Sequence, residues 1–384
     1  FTLTWQQCKV RELFEIKRGR TILKKEIEEN RGKFPVYSSQ TENNGELGKI
    51  NTFDFDGEYL SWTTDGYAGV IFYRNGKFSL TIHCGLLEKR KSNINYYFAY
   101  NSISLISKNY VNIACAIPNL GSDVMSGVEF MICSYKEQEK IASLFFTLDK
   151  IVSLYERKIS LLEKLEKALF SKLFVNKKNE TPSIRFKGFS GFWETKNISE
   201  LCKINRGNSK YTANYIKQNI GKYPVYSSQT QNEGISGNIS TYEYDGEFIT
   251  WTMDGVNAGT VFYRNAKFNV SSSGVLSVKS DMQINTKFLF YVLRLMSLNK
   301  ENMGETIPHF TISMMEKLEI TILNNVQEQT KIAEVFSSLN LTYAQLKRKQ
   351  KSPKNGLFSL KFSTFWRKII FFYTNILFKT DFCM

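Results

Sequence analysis

Apolar residues along the chain keep one spacing, change to another, and then repeat the whole order. Short runs rich in Val, Ile, Tyr, Phe and Thr come first: Phe34-Pro35-Val36-Tyr37, then Tyr59-Leu60-Ser61-Trp62-Thr63, then Val70-Ile71-Phe72-Tyr73, with Asn43-Asn44-Gly45 and Asn75-Gly76 as punctuation. Such runs predict strands, and the Gly, Asn and Asp residues between them predict turns. From Ile141 the spacing becomes helical. Ile141, Phe145, Leu148, Val152, Tyr155, Ile159 and Leu162, then Leu169 and Leu173, alternate steps of four and three, as a coiled-coil seam requires. In the second half Ile332, Phe336, Leu339, Tyr343 and Leu346 repeat this stepping. Ser134 stands three before Glu137, and Asn325 three before Glu328, the capping spacing that opens a helix.

The helix from Ile141 to Leu173 would stretch about 48 Å at 1.5 Å per residue. A seam this narrow cannot bury itself in water, and the matching seam lies in the other half. The two helices are therefore expected to pair antiparallel and to hold two globular parts apart. The alternative is that each helix packs on its own domain.

Side by side, the two halves are a duplication. Tyr37-Ser38-Ser39-Gln40-Thr41 returns as Tyr226-Ser227-Ser228-Gln229-Thr230, Trp5 as Trp193, Arg18-Gly19 as Arg206-Gly207, Asp56-Gly57-Glu58 as Asp245-Gly246-Glu247, and Phe72-Tyr73-Arg74-Asn75 as Phe262-Tyr263-Arg264-Asn265. Ile117-Pro118 matches Ile307-Pro308, and the Gln138 to Ala142 segment matches Gln329 to Ala333. So long a period is not a solenoid. It predicts an α+β molecule of two strand-rich domains in pseudo-two-fold repeat with two long antiparallel coiled-coil helices. The boundaries read as a first domain over 1–134, a first spacer helix over 135–175, a linker over 176–192, a second domain over 193–324, a second helix over 325–362 and an atypical tail over 363–384. Phe1 aligns with Phe189, so the first copy is expected to begin inside its lead-in and to lack a few N-terminal residues.

Charge narrows the partner. The chain of 384 residues carries a formal net charge of +15, with a pI near 9.3, and its field attracts a polyanion such as nucleic acid. Its six cysteines form no Cys-x-x-Cys pair, and no secretory leader opens the chain, so a reduced cytoplasmic setting is expected. The longest apolar run, Ile369 to Phe378, is too short to span a membrane.

Enzymatic chemistry finds little support. The two histidines, His83 and His309, have no metal-ligand spacing to a Cys or carboxylate pair, which leaves zinc hydrolysis and His acid–base work unsupported. Asp54, Asp56 and Glu58 form an acidic cluster open to a cation, against which an Asp-Gly-Glu turn between strands is the commoner explanation. No Walker loop, glycine-rich loop for S-adenosylmethionine or Asn-Pro-Pro-Tyr-like motif is present. No catalytic or metal residue is assigned.

Ile184-Arg185-Phe186-Lys187-Gly188-Phe189 leading to Trp193-Glu194, the Tyr-Ser-Ser-Gln-Thr segment, the Asp-Gly-Glu to Trp-Thr strand, Ile-Pro, the Gln-x-Lys-Ile-Ala segment and a closing long helix together resemble the specificity subunits of type I restriction-modification systems. The resemblance covers about 1–362. It implies two target-recognition domains, each reading half of a split sequence in double-stranded DNA, and helices that set the gap and dock two methyltransferase subunits. Restriction and translocase subunits would join them. This chain would bind no cofactor, with S-adenosylmethionine and ATP/Mg on the partner subunits. A stand-alone or inactive DNA-binding remnant of such a system is the alternative, and a nuclease with an unrecognised motif is a third.

Candidate DNA contacts fall in pairs. Ser38, Ser39, Gln40 and Thr41, with Ser227, Ser228, Gln229 and Thr230, suit phosphates or base edges, Gln suiting adenine in particular, although they also suit a loop closed on its own backbone. Arg18 and Arg206, Lys33 and Lys222, Arg74 and Arg264, and Lys77 and Lys267 suit phosphates. Trp62 and Trp251 read as core rather than as stacking platforms. The copies diverge after Phe-Tyr-Arg-Asn, where Thr81-Ile82-His83-Cys84-Gly85 faces Ser271-Ser272-Ser273-Gly274, so related but unequal half-sites are expected. Pro353 and Gly356 interrupt the second helix, predicting a kink or stop near Ser352. The tail after Phe362 has no counterpart and reads as a partner surface or a frame-shifted extension.

Overall fold

The computed structural model describes residues 5–114, 116–175, 181–297 and 309–350. Pro353, Gly356, the tail over 363–384, Phe1 and the Ile307-Pro308 pair lie outside them. Two compact units divide the described residues, one running up to Leu154 and the other spanning Tyr155–Lys349.

In the first unit the strands are β1 (Gln6–Lys9), β2 (Phe14–Arg18), β3 (Arg31–Tyr37), β4 (Glu46–Ile50), β5 (Phe55–Thr63), β6 (Ile71–Leu80), β7 (Cys84–Lys89) and β8 (Glu129–Ile132). The second unit has β9 (Trp193–Asn197), β10 (Cys202–Arg206), β11 (Ile220–Tyr226), β12 (Ile235–Ile239), β13 (Tyr244–Trp251), β14 (Val261–Val270), β15 (Gly274–Val278) and β16 (Glu319–Leu323). The sheets repeat strand for strand: β2-β7-β5-β6-β3-β4 in one unit and β10-β15-β13-β14-β11-β12 in the other, each beside a two-stranded ribbon, β1-β8 or β9-β16. All pairings are antiparallel except β3 with β6 and β11 with β14.

The segment after β2 crosses the end of β7 to reach the end of β6, and the segment after β10 reaches β14 in the same way. Gly19 N–H donates to the Cys84 carbonyl and Arg20 N–H to the Leu80 carbonyl, as Gly207 and Asn208 do to Ser273 and Val270. The repeated Arg-Gly has its cause here: a Cβ on Gly19 would lie 2.2 Å from the Thr81 carbonyl oxygen, and one on Gly207 2.6 Å from that of Ser271.

The cores are anchored by the repeated tryptophans. Trp62 and Trp251 are fully buried, and their indole N–H groups donate to the carbonyls of Leu120 and Phe310, both at 2.9 Å. Gly85 and Gly274 lie flush against these rings.

Asp56-Gly57-Glu58 and Asn75-Gly76 are not turns. They sit inside β5 and β6 with Gly57 opposite Gly76, and the connection falls at residues 64–70 instead. The strand pairing continues past the turn-like residues because flanking Tyr59, Leu60, Phe72 and Phe78 gain packing across the ladder. The acidic cluster is engaged internally: Asp54 accepts from Arg20 at 3.2 Å, Asp56 pairs with Lys77 at 3.7 Å, and Glu58 accepts from the Tyr73 hydroxyl at 2.8 Å. Among the described residues no cluster of His, Cys, Asp or Glu suits a metal ion, and no helix is long and apolar enough to cross a membrane.

The helix Tyr135–Leu173 begins where the first domain was read to end, and the division into compact units falls inside it. Ala142 belongs to the first unit's core, whereas Phe170, Leu173 and Phe174 belong to the second's. The expected seam is the sheltered face, with Phe145, Ile159 and Leu173 buried, while Leu144, Phe146, Leu154 and Leu161 are exposed. Within the second unit, residues 155–173 run antiparallel to the helix over 326–350. Phe170 stacks on Phe336 at 4.2 Å between centroids, and about two turns away the Tyr343 hydroxyl meets Glu163 at 3.1 Å. Pairing and domain packing therefore coexist: Ile332, Ala333 and Phe336 enter the same core.

The capping residues also take unexpected partners. Asn325 caps Glu328 N–H at 3.0 Å, but the Glu328 carboxylate turns to Arg185 of the lead-in.

Candidate nucleic-acid interface

The pentapeptide Tyr37-Ser38-Ser39-Gln40-Thr41 leaves β3 and enters a left-handed turn, with φ of 46° at Asn43, 58° at Asn44 and 81° at Gly45. Ser38 N–H donates to the Gly45 carbonyl at 2.9 Å, and the Gln40 amide donates to the Glu46 carbonyl. The second copy is the same: Asn232, Glu233 and Gly234 have positive φ, Ser227 N–H reaches Gly234 at 2.8 Å, and Gln229 donates to Ile235 at 2.6 Å. Both glutamine amide groups are thus engaged in closing the loop.

Arg74 and Arg264 require a correction, since the structure buries them to 3% and 6% exposure, out of reach of a phosphate. Arg74 lies over the Tyr37 ring at 3.5 Å and donates to the Asn44 carbonyl at 2.9 Å and the Ser61 hydroxyl at 3.0 Å. Arg264 lies over Tyr226 at 3.5 Å and donates to the Glu233 carbonyl at 2.7 Å and the Thr250 hydroxyl at 3.1 Å. A delocalised guanidinium tolerates an aromatic bed and supplies donors to carbonyls that a left-handed turn leaves facing inward. Burial lowers the Arg74 pKa to about 10 and that of Arg264 in the same direction.

The loop between β5 and β6 is pinned by its first threonine. Val70 N–H donates to the Thr63 hydroxyl at 3.0 Å and Gly69 N–H to the Thr63 carbonyl at 2.9 Å; Thr260 and Gly259 bond Thr252 in the same way at 3.0 and 2.8 Å. Between Thr252 and Val261 the second loop is one residue longer than the first between Thr63 and Ile71. Its tip exposes Val256 to 83%, where the first exposes Tyr67 to 68%.

These loops meet at the turn over 81–83 or 271–273. Thr81 N–H donates to the Tyr37 carbonyl, Thr64 N–H to that of His83, and Arg18 reaches the Ile82 carbonyl at 2.8 Å and the Thr64 hydroxyl at 3.4 Å. In the second unit the Ser228 hydroxyl donates to the Ser272 carbonyl at 2.9 Å and accepts from Met253 N–H at 3.1 Å, while Asn257 donates to the Thr230 hydroxyl at 3.1 Å. Arg18, Ser38, Ser39, Gln40 and Thr41 thus belong with one cluster of loops, and Ser227, Ser228, Gln229 and Thr230 with its copy; Arg206, the counterpart of Arg18, is likewise exposed. Lys33 and Lys222 are exposed on β3 and β11, over Phe34 and Tyr223. Lys77 and Lys267 are exposed and pair with Asp56 and Asp245 at 3.7 and 3.5 Å.

Sequence reasoning missed the histidines. His83 Nδ1 lies 2.7 Å from Asp65 Oδ2, and His309 Nδ1 lies 2.8 Å from Asp254 Oδ1. Asp65 and Asp254 are equivalent, each followed by glycine at the loop's start, but the histidines are not. His83 sits in the β6–β7 turn, whereas His309 sits where Asn119 stands in the first unit, as the backbone bridges Asp65–Asn119 and Asp254–His309 show. No sequence spacing signals such pairs.

A family model described as the type I restriction modification DNA specificity domain matches residues 3–164 and again 191–352. A Mycoplasma pneumoniae protein named as type I specificity subunit S.MpnORF507P is 32% identical over 337 residues, covering 88% of this chain and 89% of that one. The specificity subunit of the type I restriction enzyme MpnII, from the same organism, is 41% identical over 149 residues, 39% of this chain and 45% of its own length. The crystal structure of a type I restriction-modification S subunit from M. genitalium superposes with a TM-score of 0.75 at 17% identity, covering 94% of this chain and 96% of that one, which establishes a shared fold.

Proposed function

The chain belongs to the type I restriction-modification DNA specificity family, and from that premise we propose that each strand-rich unit reads one half of a bipartite duplex sequence through its cluster of loops. The subunit is the non-catalytic reader of a larger assembly. The long helices set the gap between the half-sites and dock two methyltransferase subunits, and restriction and translocase subunits join them. S-adenosylmethionine and ATP/Mg are held by those partners, and the complex acts in the cytoplasm.

The observation that carries this reading is the doubling of the loop cluster on matching six-stranded sheets, with differing residues at the turn over 81–83 against 271–273. A common scaffold with unequal turns suits two readers of related, unequal half-sites. Base edges are distinguished by individual side-chain donors and acceptors, so a changed turn changes the bases accepted while the scaffold stays. A net charge of +15 supplies the sequence-independent attraction to phosphate. Two readers on a duplex must be held at a spacing that matches its helical turn of about 34–36 Å, the task assigned to the helices.

Co-expression with a type I methyltransferase subunit from the same genome, followed by methylome sequencing, tests the reading. A split, adenine-methylated motif is expected. Adding one heptad to both helices should alter the gap and leave the bases unchanged. Copurification with no methyltransferase and an unmodified genome would favour an inactive remnant.

A further inference from the structure

We propose that the two His–Asp pairs, His83 with Asp65 and His309 with Asp254, are specificity-determining contacts, one for each half of the DNA target, with each imidazole presented to a base edge and each carboxylate positioning it. The inference rests on the bipartite reading above and names the side chains that do the discriminating.

The chain contains two histidines among its 384 residues, and both end on the same residue of the duplicated loop. Descent from a common ancestor does not account for this, because the histidines occupy different positions in the two copies. One comes from the β6–β7 turn and the other from the segment that crosses the loop at Asp254. What the copies share is the arrangement of an aspartate at the start of the loop with an imidazole against it.

The geometry suits recognition. An ionised carboxylate only accepts, so Nδ1 carries the proton shared with aspartate, which fixes the tautomer and leaves Nε2 on the far side of the ring. The side chains of His83 and His309 are 57% and 58% exposed, so the far edge meets solvent rather than core. Nε2 then accepts from an amino group of adenine or cytosine, or, in the protonated ring, donates to the acceptors of guanine. A base edge is favoured over a phosphate because the paired carboxylate places negative charge directly behind the ring.

The neighbourhood is that of the pentapeptide. Thr64 N–H bonds the His83 carbonyl at 3.0 Å and Arg18 bonds the carbonyl of the preceding Ile82 at 2.8 Å. On the other unit, Phe310 N–H bonds the Met253 carbonyl at 2.7 Å, and Met253 N–H is held by the Ser228 hydroxyl at 3.1 Å. Each imidazole is thus tied through one or two residues to the loops proposed to face DNA. Because they arrive from different segments, the imidazoles address different base positions in their half-sites.

The test compares methylated motifs produced by the wild-type subunit and by His83→Ala, His309→Ala, His83→Gln and His309→Gln, each co-expressed with its methyltransferase. Melting curves of the purified complexes confirm folding. Discrimination at one base position is expected to fall about 10- to 100-fold, the worth of one good base contact. The relaxed position should lie in one half of the motif for the His83 variants and in the other half for the His309 variants. Asp65→Ala should relax the same position as the His83 variants. An unchanged motif, at full or reduced rate of methylation, overturns the inference, as does relaxation of both halves by one substitution. A wild-type complex that modifies no split motif sinks the bipartite reading itself, and this inference with it.

Discussion

Replacing Arg185 with alanine should unlatch the lead-in segment from the closing helix. Arg185 grips the Glu328 carboxylate with Nε at 2.9 and 3.2 Å and Nη2 at 2.7 Å, while its remaining donors hold the carbonyls of Gly191 and Ser190 at 2.5 and 2.9 Å. The Glu328 side chain is 2% exposed and that of Arg185 18%, so the alanine variant strands a carboxylate out of water with no counter-ion. Removing one partner of a buried pair costs about 3–5 kcal/mol. The lower end applies, about 3 kcal/mol, because Glu328 lies in the first turn of the helix over 326–350, whose free N–H groups favour negative charge. At about 1.4 kcal/mol per decade, amide exchange in that helix should accelerate roughly 100-fold, read by mass spectrometry so that the second unit is followed separately. The double variant Arg185→Ala with Glu328→Gln should recover part of the loss, since a neutral amide is cheaper to bury than a bare charge. Glu328→Gln alone should cost about 1–2 kcal/mol. An Arg185→Ala variant whose exchange rises less than about five-fold would refute the reasoning.

Further outcomes follow from packing and charge. Gly85→Ala and Gly274→Ala would place a Cβ 2.0 and 2.1 Å from the rings of Trp62 and Trp251, so each should lower stability by at least about 1–3 kcal/mol, seen in urea midpoints. Arg74→Ala and Arg264→Ala should each cost about 2–3 kcal/mol and raise amide exchange over 38–46 or 227–235, because inward carbonyls lose their donor; lysine, with one compact charge, should not rescue them. Burial pushes the thiols of Cys84 and Cys202 up to about 12, as it does the hydroxyls of Tyr96 and Tyr211. Each raised group keeps its proton in the folded state after the unfolded chain has lost its own. Stability is therefore intact below about pH 9 and declines between about 9 and 12, at up to about 1.4 kcal/mol per unit for each group, which a pH series of urea unfolding checks. In the native state at pH 8, alkylation should spare both thiols, as peptide mass spectrometry would show.

Much of the architecture was written in spacing and repetition, which are local properties. The seam from Ile141 to Leu173, the strand-forming runs, the place where the long helix begins and the repetition of motifs between the two halves can all be read without coordinates, because period and side-chain volume dictate which face must be covered. The Arg185 motif and the Arg-Gly pair were visible as patterns, but not as a latch and a close approach.

What tertiary structure alone decided is where each charge and each ring came to rest. A sequence states that Arg74 is cationic, and the fold places it beneath Tyr37 with no exposed face. It offers Asn75-Gly76 as a turn, and packing across the ladder carries the strand through it. Most tellingly, His83 lies 18 residues from Asp65 and His309 lies 55 from Asp254, separations with no common rule, and the β6–β7 turn and the crossing segment bring each to within 3 Å. Burial and pairing depend on neighbours distant along the chain, and those neighbours exist only after the chain has folded.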